Sequence, residues 1–277
     1  MTIVQGRSPQ NKFKQLLDNE NVQALGIFLL SLGIFLLVWE LGANAKIFAK
    51  GMPTASLTLK ELWWWLTNPF FNNGPNDMGI GWNLLISLRR VAIGYIMASV
   101  VAVPLGILLG MSKIATKAFN PYVQLLKPVS PLAWLPLGLY LFRDSEKTGI
   151  FIILISSIWP TLVNTAFGVS KVNSDYLDVA KTLGASKWRT IFKVIIPAAL
   201  PNIISGLRIS MGISWLVIVA AEMLLGTGLG YFIWSEWNNL YLPNIIVAII
   251  IIGLVGLLLD QIFAYLEKMV SFGKESS

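Results

Sequence analysis

The sequence predicts an all-α, polytopic membrane protein with about six transmembrane helices. Hydrophobic residues make up 55% of the 277 residues and charged residues only 13%, and the mean hydropathy is +0.68. Soluble domains carry about 25% charged residues. The apolar residues also come in blocks near the ~20 residues that cross a bilayer, rather than in the short-period stripes of a soluble core. The chain is therefore predicted to cross a lipid bilayer several times.

The sequence contains neither cysteine nor histidine. A disulfide framework and a thiolate nucleophile are thereby excluded, and the commonest acid, base and metal ligand at neutral pH is missing. We therefore predict a non-catalytic chain with no catalytic residue, no metal site and no cofactor of its own. The net charge is +7, but the basic residues are scattered between apolar blocks, which argues against nucleic acid as a partner.

The apolar blocks predict transmembrane spans at 24–43, 82–111, 121–142, 148–170, 201–225 and 244–265. The first block exceeds the ~7–15 residues of a signal-peptide core, so we predict that it remains as an anchor. Segment 44–81 predicts an amphipathic helix at the outer interface. A kink is expected at Pro104, and Pro128, Pro131 and Pro136 predict irregular backbone in the first half of the third span.

Lysine and arginine residues lie mostly on one side of the predicted membrane. About twelve cations fall on the side of the two termini, Lys113, Lys117 and the stretch 171–193, against about five on the other side. The positive-inside rule therefore predicts that both termini and the stretch 171–193 are cytoplasmic and that segment 44–81 lies outside.

The cytoplasmic segment 173–197 predicts two short helices. Gly184 supplies a stop between them, because glycine tolerates positive φ. Apolar residues recur at helical spacing on both sides of this glycine, namely Tyr176, Leu177, Ala180 and Leu183, then Trp188, Ile191, Phe192 and Ile195. An apolar face in the cytoplasm predicts a protein partner.

This segment resembles the EAA loop of ABC importer permeases. It keeps the spacing of that motif and matches it at Ala180, Gly184 and Pro197, while Asp178, Val179, Val194 and Ile196 are chemically similar departures. In that family the loop is a coupling helix that sits in a groove of a cytoplasmic ABC ATPase. The resemblance therefore implies ATPase-coupling roles for Asp178, Ala180, Gly184, Ala185, Trp188 and Pro197.

The resemblance extends over about 82–264 and implies the type I ABC importer permease fold. The chain looks most like the subgroup that imports nitrate, nitrite, cyanate, bicarbonate, taurine and alkyl sulfonates, and residues 68–83 look especially like the nitrate and bicarbonate permeases of cyanobacteria. The resemblance implies a bacterial inner-membrane homodimer served by ABC ATPase subunits, which bind ATP and Mg, and by an extracytoplasmic substrate-binding protein.

Nitrate or nitrite is the substrate that this resemblance favours, with the other anions of the subgroup as alternatives. An ion-gradient-driven carrier and a membrane-embedded enzyme or scaffold are more remote alternatives. The predicted organisation is an N-terminal tail, anchor and amphipathic segment (1–81), a permease core (82–266) and a cytoplasmic tail (267–277).

Polar residues inside the predicted spans are candidates for the substrate pathway, because charge at membrane depth is costly. Arg208 is a candidate anion attractor facing a central cavity, with an interhelical salt bridge or extension of its side chain to the interface as the alternatives. Arg90 could meet an incoming anion or extend to the interface. Ser157, Thr161 and Asn164 share one helical face and could hydrogen-bond an oxyanion or simply pack helices together.

Three further residues are candidates for gating or structure. Glu222, near the outer end of the fifth span, would repel an anion and is predicted to be a structural or gating partner. Trp215 could narrow a pathway or pack against a helix, and Pro104 could bend the second span. The glycine-rich stretch 226–230 lacks a preceding strand and a following Lys-Ser/Thr, so we predict a turn rather than a phosphate loop.

Overall fold

The computed structural model describes residues 20–49, 51–74 and 77–271. The predicted cytoplasmic tail segments 1–19 and 272–277 lie outside the described residues. The elements, in chain order, are α1 (Glu20–Asn44), α2 (Ala55–Thr67), β1 (Asn72–Gly74), β2 (Asp77–Met78), α3 (Ile80–Gly110), α4 (Lys113–Leu126), a 3₁₀ turn (Pro131–Trp134), α5 (Leu135–Phe142), α6 (Ser145–Ser170), α7 (Ser174–Thr182), α8 (Lys187–Leu225), α9 (Leu229–Asn238) and α10 (Leu242–Ser271). Strands β1 and β2 form a small antiparallel hairpin that the sequence did not predict.

The long helices confirm the predicted polytopic all-α fold. Five of them, α1, α3, α6, α8 and α10, are long and apolar enough to cross a membrane, and the bent pair of α4 with residues 131–142 would make a sixth span. Helix α3 continues through Pro104.

The chain divides into two units, residues 1–64 and 65–277. In the first unit most side chains of α1 are exposed, as expected for an anchor surrounded by lipid. The loop that follows folds back on the end of this helix. Trp39 Nε1 donates to the Pro53 carbonyl at 3.0 Å, and the Glu40 carboxylate accepts hydrogen bonds from the backbone N–H and the hydroxyl of Ser56.

The third span breaks at 127–130, within the half of 121–142 where irregular backbone is predicted, but it begins earlier than residue 121. Its first part is regular helix from Lys113 to Leu126, although Pro121 lies within it, and the chain then bends by 83° before residues 131–142. The bend falls at the residue before Pro131, because a proline forces the preceding residue toward extended backbone. Ser130 has φ −57° and ψ 127° accordingly.

The second unit is built around α6, which packs mainly against α3 and α8. Glycines allow this close packing. A Cβ on Gly94 of α3 would lie 2.7 Å from the Ile150 carbonyl oxygen, and a Cβ on Gly206 of α8 would lie 2.7 Å from Asn164 Cβ. Small residues at such contacts let membrane helices approach closely without a hydrophobic driving force between them.

The fifth span begins earlier than the predicted residue 201. The second short helix predicted in segment 173–197 is the beginning of α8, which starts at Lys187 and passes through one widened π turn at Ile191–Ile195. Pro197 follows this turn and has no N–H to donate, so the local widening accommodates its ring within a continuous helix. Segment 173–197, called the coupling segment here after the role that the resemblance implies, is therefore joined to the fifth span by helix rather than by a loop.

Candidate functional site

Arg90 lies in a buried ion-pair cluster where α3 begins and α8 ends. Its side chain is 2% exposed, and Nη1 donates to Glu222 Oε1 at 3.0 Å while Nε donates to Glu146 Oε2 at 2.9 Å. Thr227 accepts two further bonds, at its carbonyl oxygen and its hydroxyl. Arg90 does not extend to the interface, because protein acceptors enclose the guanidinium. Contact with an incoming anion stays a prediction.

The Glu222 carboxylate is fully buried and lies against the glycine-rich turn. Ser87 Oγ donates to Oε2 at 2.7 Å, and the backbone N–H of Gly230 donates to the same oxygen at 3.2 Å. A Cβ at Gly228 would overlap the carboxylate, and a Cβ at Gly230 would overlap the Val219 carbonyl. The predicted turn is present, with φ of +95° at Gly228, and Glu222 has the structural-partner geometry that we predicted.

Arg208 of α8 is bound by two carboxylates of α10. Its Nε and Nη2 donate to the two oxygens of Asp260 at 2.8 Å each, and its Nη1 donates to Glu267 Oε2 at 2.9 Å. Ser205 Oγ also hydrogen-bonds Glu267. The salt-bridge alternative for Arg208 is therefore the one observed, and three of its N–H groups are engaged by the chain itself.

The candidate hydroxyl and amide residues of α6 lie in its interface with α8. Ser157 Oγ is 2.5 Å from Ser214 Oγ, Ser210 Oγ donates to the Ser157 carbonyl at 2.5 Å, and Asn164 Nδ2 donates to the carbonyl oxygen four residues earlier at 2.8 Å. Thr161 is fully buried, with no hydrogen-bond partner for its hydroxyl among the described residues. This geometry favours the packing alternative for the three candidates.

Trp215 packs between helices. It is 3% exposed, and its indole N–H donates to the Ile252 carbonyl of α10 at 3.0 Å. Gly256 makes room for the ring, since a Cβ there would lie 3.1 Å from Trp215 Cδ1. The packing alternative for Trp215 is therefore observed.

The coupling segment is organised around Gly184. This glycine has φ of +67° and ends α7 in a Schellman motif, in which its N–H donates to the Lys181 carbonyl and the N–H of Ala185 donates to the Ala180 carbonyl, both at 2.9 Å. Ser186 then caps α8 by accepting from the Arg189 N–H. Asp178 forms an exposed ion pair with Lys181 at 3.0 Å, and Pro197 lies inside α8.

The predicted apolar face of this segment divides into two parts. Ala180 is buried and Leu177 packs toward the ends of the spans, so these two residues hold α7 on the bundle. The outward part remains exposed by 58–78% per residue and is called the coupling surface here; it consists of Tyr176, Val179, Leu183, Trp188 and Phe192. The rings of Trp188 and Phe192 stack at 6.1 Å. Tyr176, Val179 and Leu183 of the coupling surface line a groove of about 330 Å³.

Residues 102–272 match the model of the family described as "Binding-protein-dependent transport system inner membrane component". The chain belongs to this family. The nitrate import permease protein NrtB of Synechocystis sp. is 42% identical over 87% of each chain. The bicarbonate transport system permease protein CmpB of the same organism is 41% identical over 87% of this chain and 86% of the relative.

A solved structure supports the same fold. The inward-facing MetNI methionine ABC transporter matches with a TM-score of 0.61 over 76% of this chain and 98% of that chain, at 11% identity. The type I ABC importer permease fold and the family that the EAA-like segment implied are therefore confirmed. The chain is an inner-membrane transport permease subunit.

The acidic partners of Arg90 and Arg208 were not identified from the sequence. Asp260 and Glu267 lie seven positions apart in the C-terminal half of the last span, where both pair with Arg208. Glu222 and Arg90 were each predicted near the outer boundary of a span. These pairs could have been found by searching for opposite charges at the same predicted membrane depth in different spans, because a charge inside the membrane needs a partner away from lipid.

Proposed function

We propose that this chain is the permease subunit of an ABC importer for a small planar oxyanion, with nitrate as the first candidate. Its relatives named for nitrate and bicarbonate transport, at 41–45% identity over most of the chain, are the observation that carries this proposal. Nitrate and bicarbonate are both small planar oxyanions. Bicarbonate is therefore the second candidate, and cyanate, taurine and alkyl sulfonates are the remaining alternatives.

In the proposed machine two copies of the chain enclose the pathway, and two cytoplasmic ABC ATPases bind their coupling surfaces. An extracytoplasmic binding protein delivers the anion. ATP and Mg bind to the ATPases, and this chain contributes no catalytic group. The exposed aromatic coupling surface supports the ATPase contact, because unpaired apolar faces of this kind are typical of protein interfaces.

The continuous helix from Lys187 to Leu225 supports a mechanical role for the coupling segment. Movement of an ATPase against Trp188 or Phe192 acts at the base of the fifth span rather than through a flexible loop. Closure of the two ATPases then rocks the spans between two packings, which is alternating access by rigid-body motion.

Reconstitution tests the proposed function directly. In proteoliposomes containing this chain, its ATPases and its binding protein, we expect nitrate uptake that requires ATP inside and binding protein outside. Excess unlabelled bicarbonate or taurine tests the alternative substrates, because an anion that the importer carries should reduce nitrate uptake by competition. Uptake driven by an imposed ion gradient without ATP would contradict the proposal.

The orientation can be tested because the parent chain contains no cysteine. Cysteine introduced at Ser186 is expected to react with a membrane-impermeant maleimide only from the cytoplasm, and cysteine at Asn73 only from outside. Both side chains are exposed. Labelling with the opposite sidedness would overturn the charge-based topology and the cytoplasmic placement of both termini.

A further inference from the structure

Three hydrogen-bond donors from two segments of the chain converge on one buried carboxylate. The Arg90 guanidinium and the Ser87 hydroxyl come from α3, the Gly230 N–H comes from the start of α9, and the Glu222 carboxylate that they bind belongs to α8. The Leu229 N–H in turn donates to Ser87 Oγ at 3.0 Å and fixes that hydroxyl. Charge-assisted bonds of this kind are shorter and stronger than neutral ones.

The turn is shaped around this carboxylate. A Cβ at position 228 would occupy the place of the Glu222 carboxylate, and a Cβ at position 230 would overlap the Val219 carbonyl. A plain arginine-glutamate salt bridge needs neither glycine nor a backbone N–H. Here the Gly230 N–H donates to the carboxylate directly, and the Leu229 N–H donates to the Ser87 hydroxyl that binds it. Backbone N–H groups of glycine-rich turns are typical components of anion-binding sites.

We propose that Ser87, Arg90 and the Gly230 N–H form a binding site for a planar oxyanion, and that the chain fills this site with its own Glu222 carboxylate. Through these hydrogen bonds the Glu222 carboxylate holds the beginning of α3, the end of α8 and the glycine-rich turn together. This inference goes beyond the transport proposal, because it concerns a ligand supplied by the fold and does not depend on which anion is carried.

The site also connects the buried turn to the surface. Arg90 Nε donates to Glu146, whose side chain is 29% exposed and also pairs with the 67% exposed Arg89 at 3.0 Å. Arg90 thus connects the surface ion pair of Arg89 and Glu146 to the buried Glu222 carboxylate. Thr227, bound by the same guanidinium, extends the connection to the turn that begins α9.

Anion rescue of Glu222→Ala tests the site. In the purified complex of full-length chain and ATPases, this substitution leaves Arg90 buried without its anion and opens a space of carboxylate shape. We expect a Tm lowered by about 10 °C. Sodium formate or nitrate should restore at least half of that loss, while sodium chloride at equal ionic strength should not, because chloride cannot bridge donors placed for two oxygens.

Trp215→Phe is the matched control, since it removes one buried hydrogen bond from another part of the same helix. Its Tm should not depend on which sodium salt is present. If formate and nitrate raise the Tm of Glu222→Ala no more than that of Trp215→Phe, or if chloride acts equally well, the proposed anion site is wrong.

If Glu222→Ala is too unstable to purify, the yield of folded complex extracted from membranes provides the same test. More folded complex should then be recovered from membranes extracted in formate than in chloride. Equal recovery in the two salts would contradict the proposal.

Discussion

Gly184→Val is expected to abolish most ATP-coupled uptake while the chain still inserts into the membrane. Gly184 has φ of +67°, where a β-branched residue is strained, and both bonds of the Schellman motif depend on that backbone conformation. A strain of ~1–2 kcal/mol corresponds to about a tenfold loss of correctly formed coupling segments. Leu183 of the coupling surface precedes this glycine directly and would be displaced with it.

Substrate-stimulated ATPase activity and uptake in proteoliposomes measure this effect. Gly184→Asn is the matched control, because asparagine tolerates the left-handed conformation, and it should remain close to the parent. Gly212→Ala is a second control, since a Cβ at Gly212 meets no atom within 4 Å. The coupling assignment would be wrong if the valine variant transported as well as the asparagine variant.

Much of this fold was predictable because span length is a property of single segments. The first, second, fourth and last spans and the stop at Gly184 all follow from local rules, namely apolar length near the bilayer thickness and glycine at positive φ. The orientation from the positive-inside rule stays a prediction. The coupling segment was recognisable for the same reason, since its apolar spacing and its glycine lie within one short stretch.

The pairing of charges was not predictable from periodicity within one helix. Arg90 and Glu222 are separated by 132 positions, and whether their faces meet depends on how closely α3, α6 and α8 approach. That approach is set by contacts such as Gly94 against Ile150 and Gly206 against Asn164. Local rules also placed the start of the fifth span too late, at residue 201, because a π turn at Ile191–Ile195 lets the helix run on from Lys187 through Pro197.

Arg208→Gln is expected to destabilise the assembled permease by less than the loss of a fully buried ion pair would, because Asp260 and Glu267 would then face each other without their cation. Removing one member of a fully buried pair costs ~3–5 kcal/mol. A smaller cost applies here since Asp260 is 56% exposed and the Arg208 side chain 34% exposed. A Tm lowered by a few degrees in the complex would show this cost.

A charge-neutral triple variant separates the structural role of Arg208 from a role in the pathway. Arg208→Gln combined with Asp260→Asn and Glu267→Gln leaves neither a cation nor an unpaired carboxylate. Because no charge is then left unpaired at membrane depth, most of the lost Tm should return. With the salt bridge as the only role of Arg208, nitrate uptake by this variant should match the parent from low to saturating concentrations.

The concentration dependence of uptake decides between the two roles. An arginine that attracts the anion contributes most when the anion is scarce, so its loss would raise the concentration needed for half-maximal uptake without changing assembly. If the triple variant recovers its Tm but takes up nitrate more slowly than the parent only at low concentration, Arg208 contacts the pathway. The carboxylates of α10 would then hold its guanidinium only between passages of the anion.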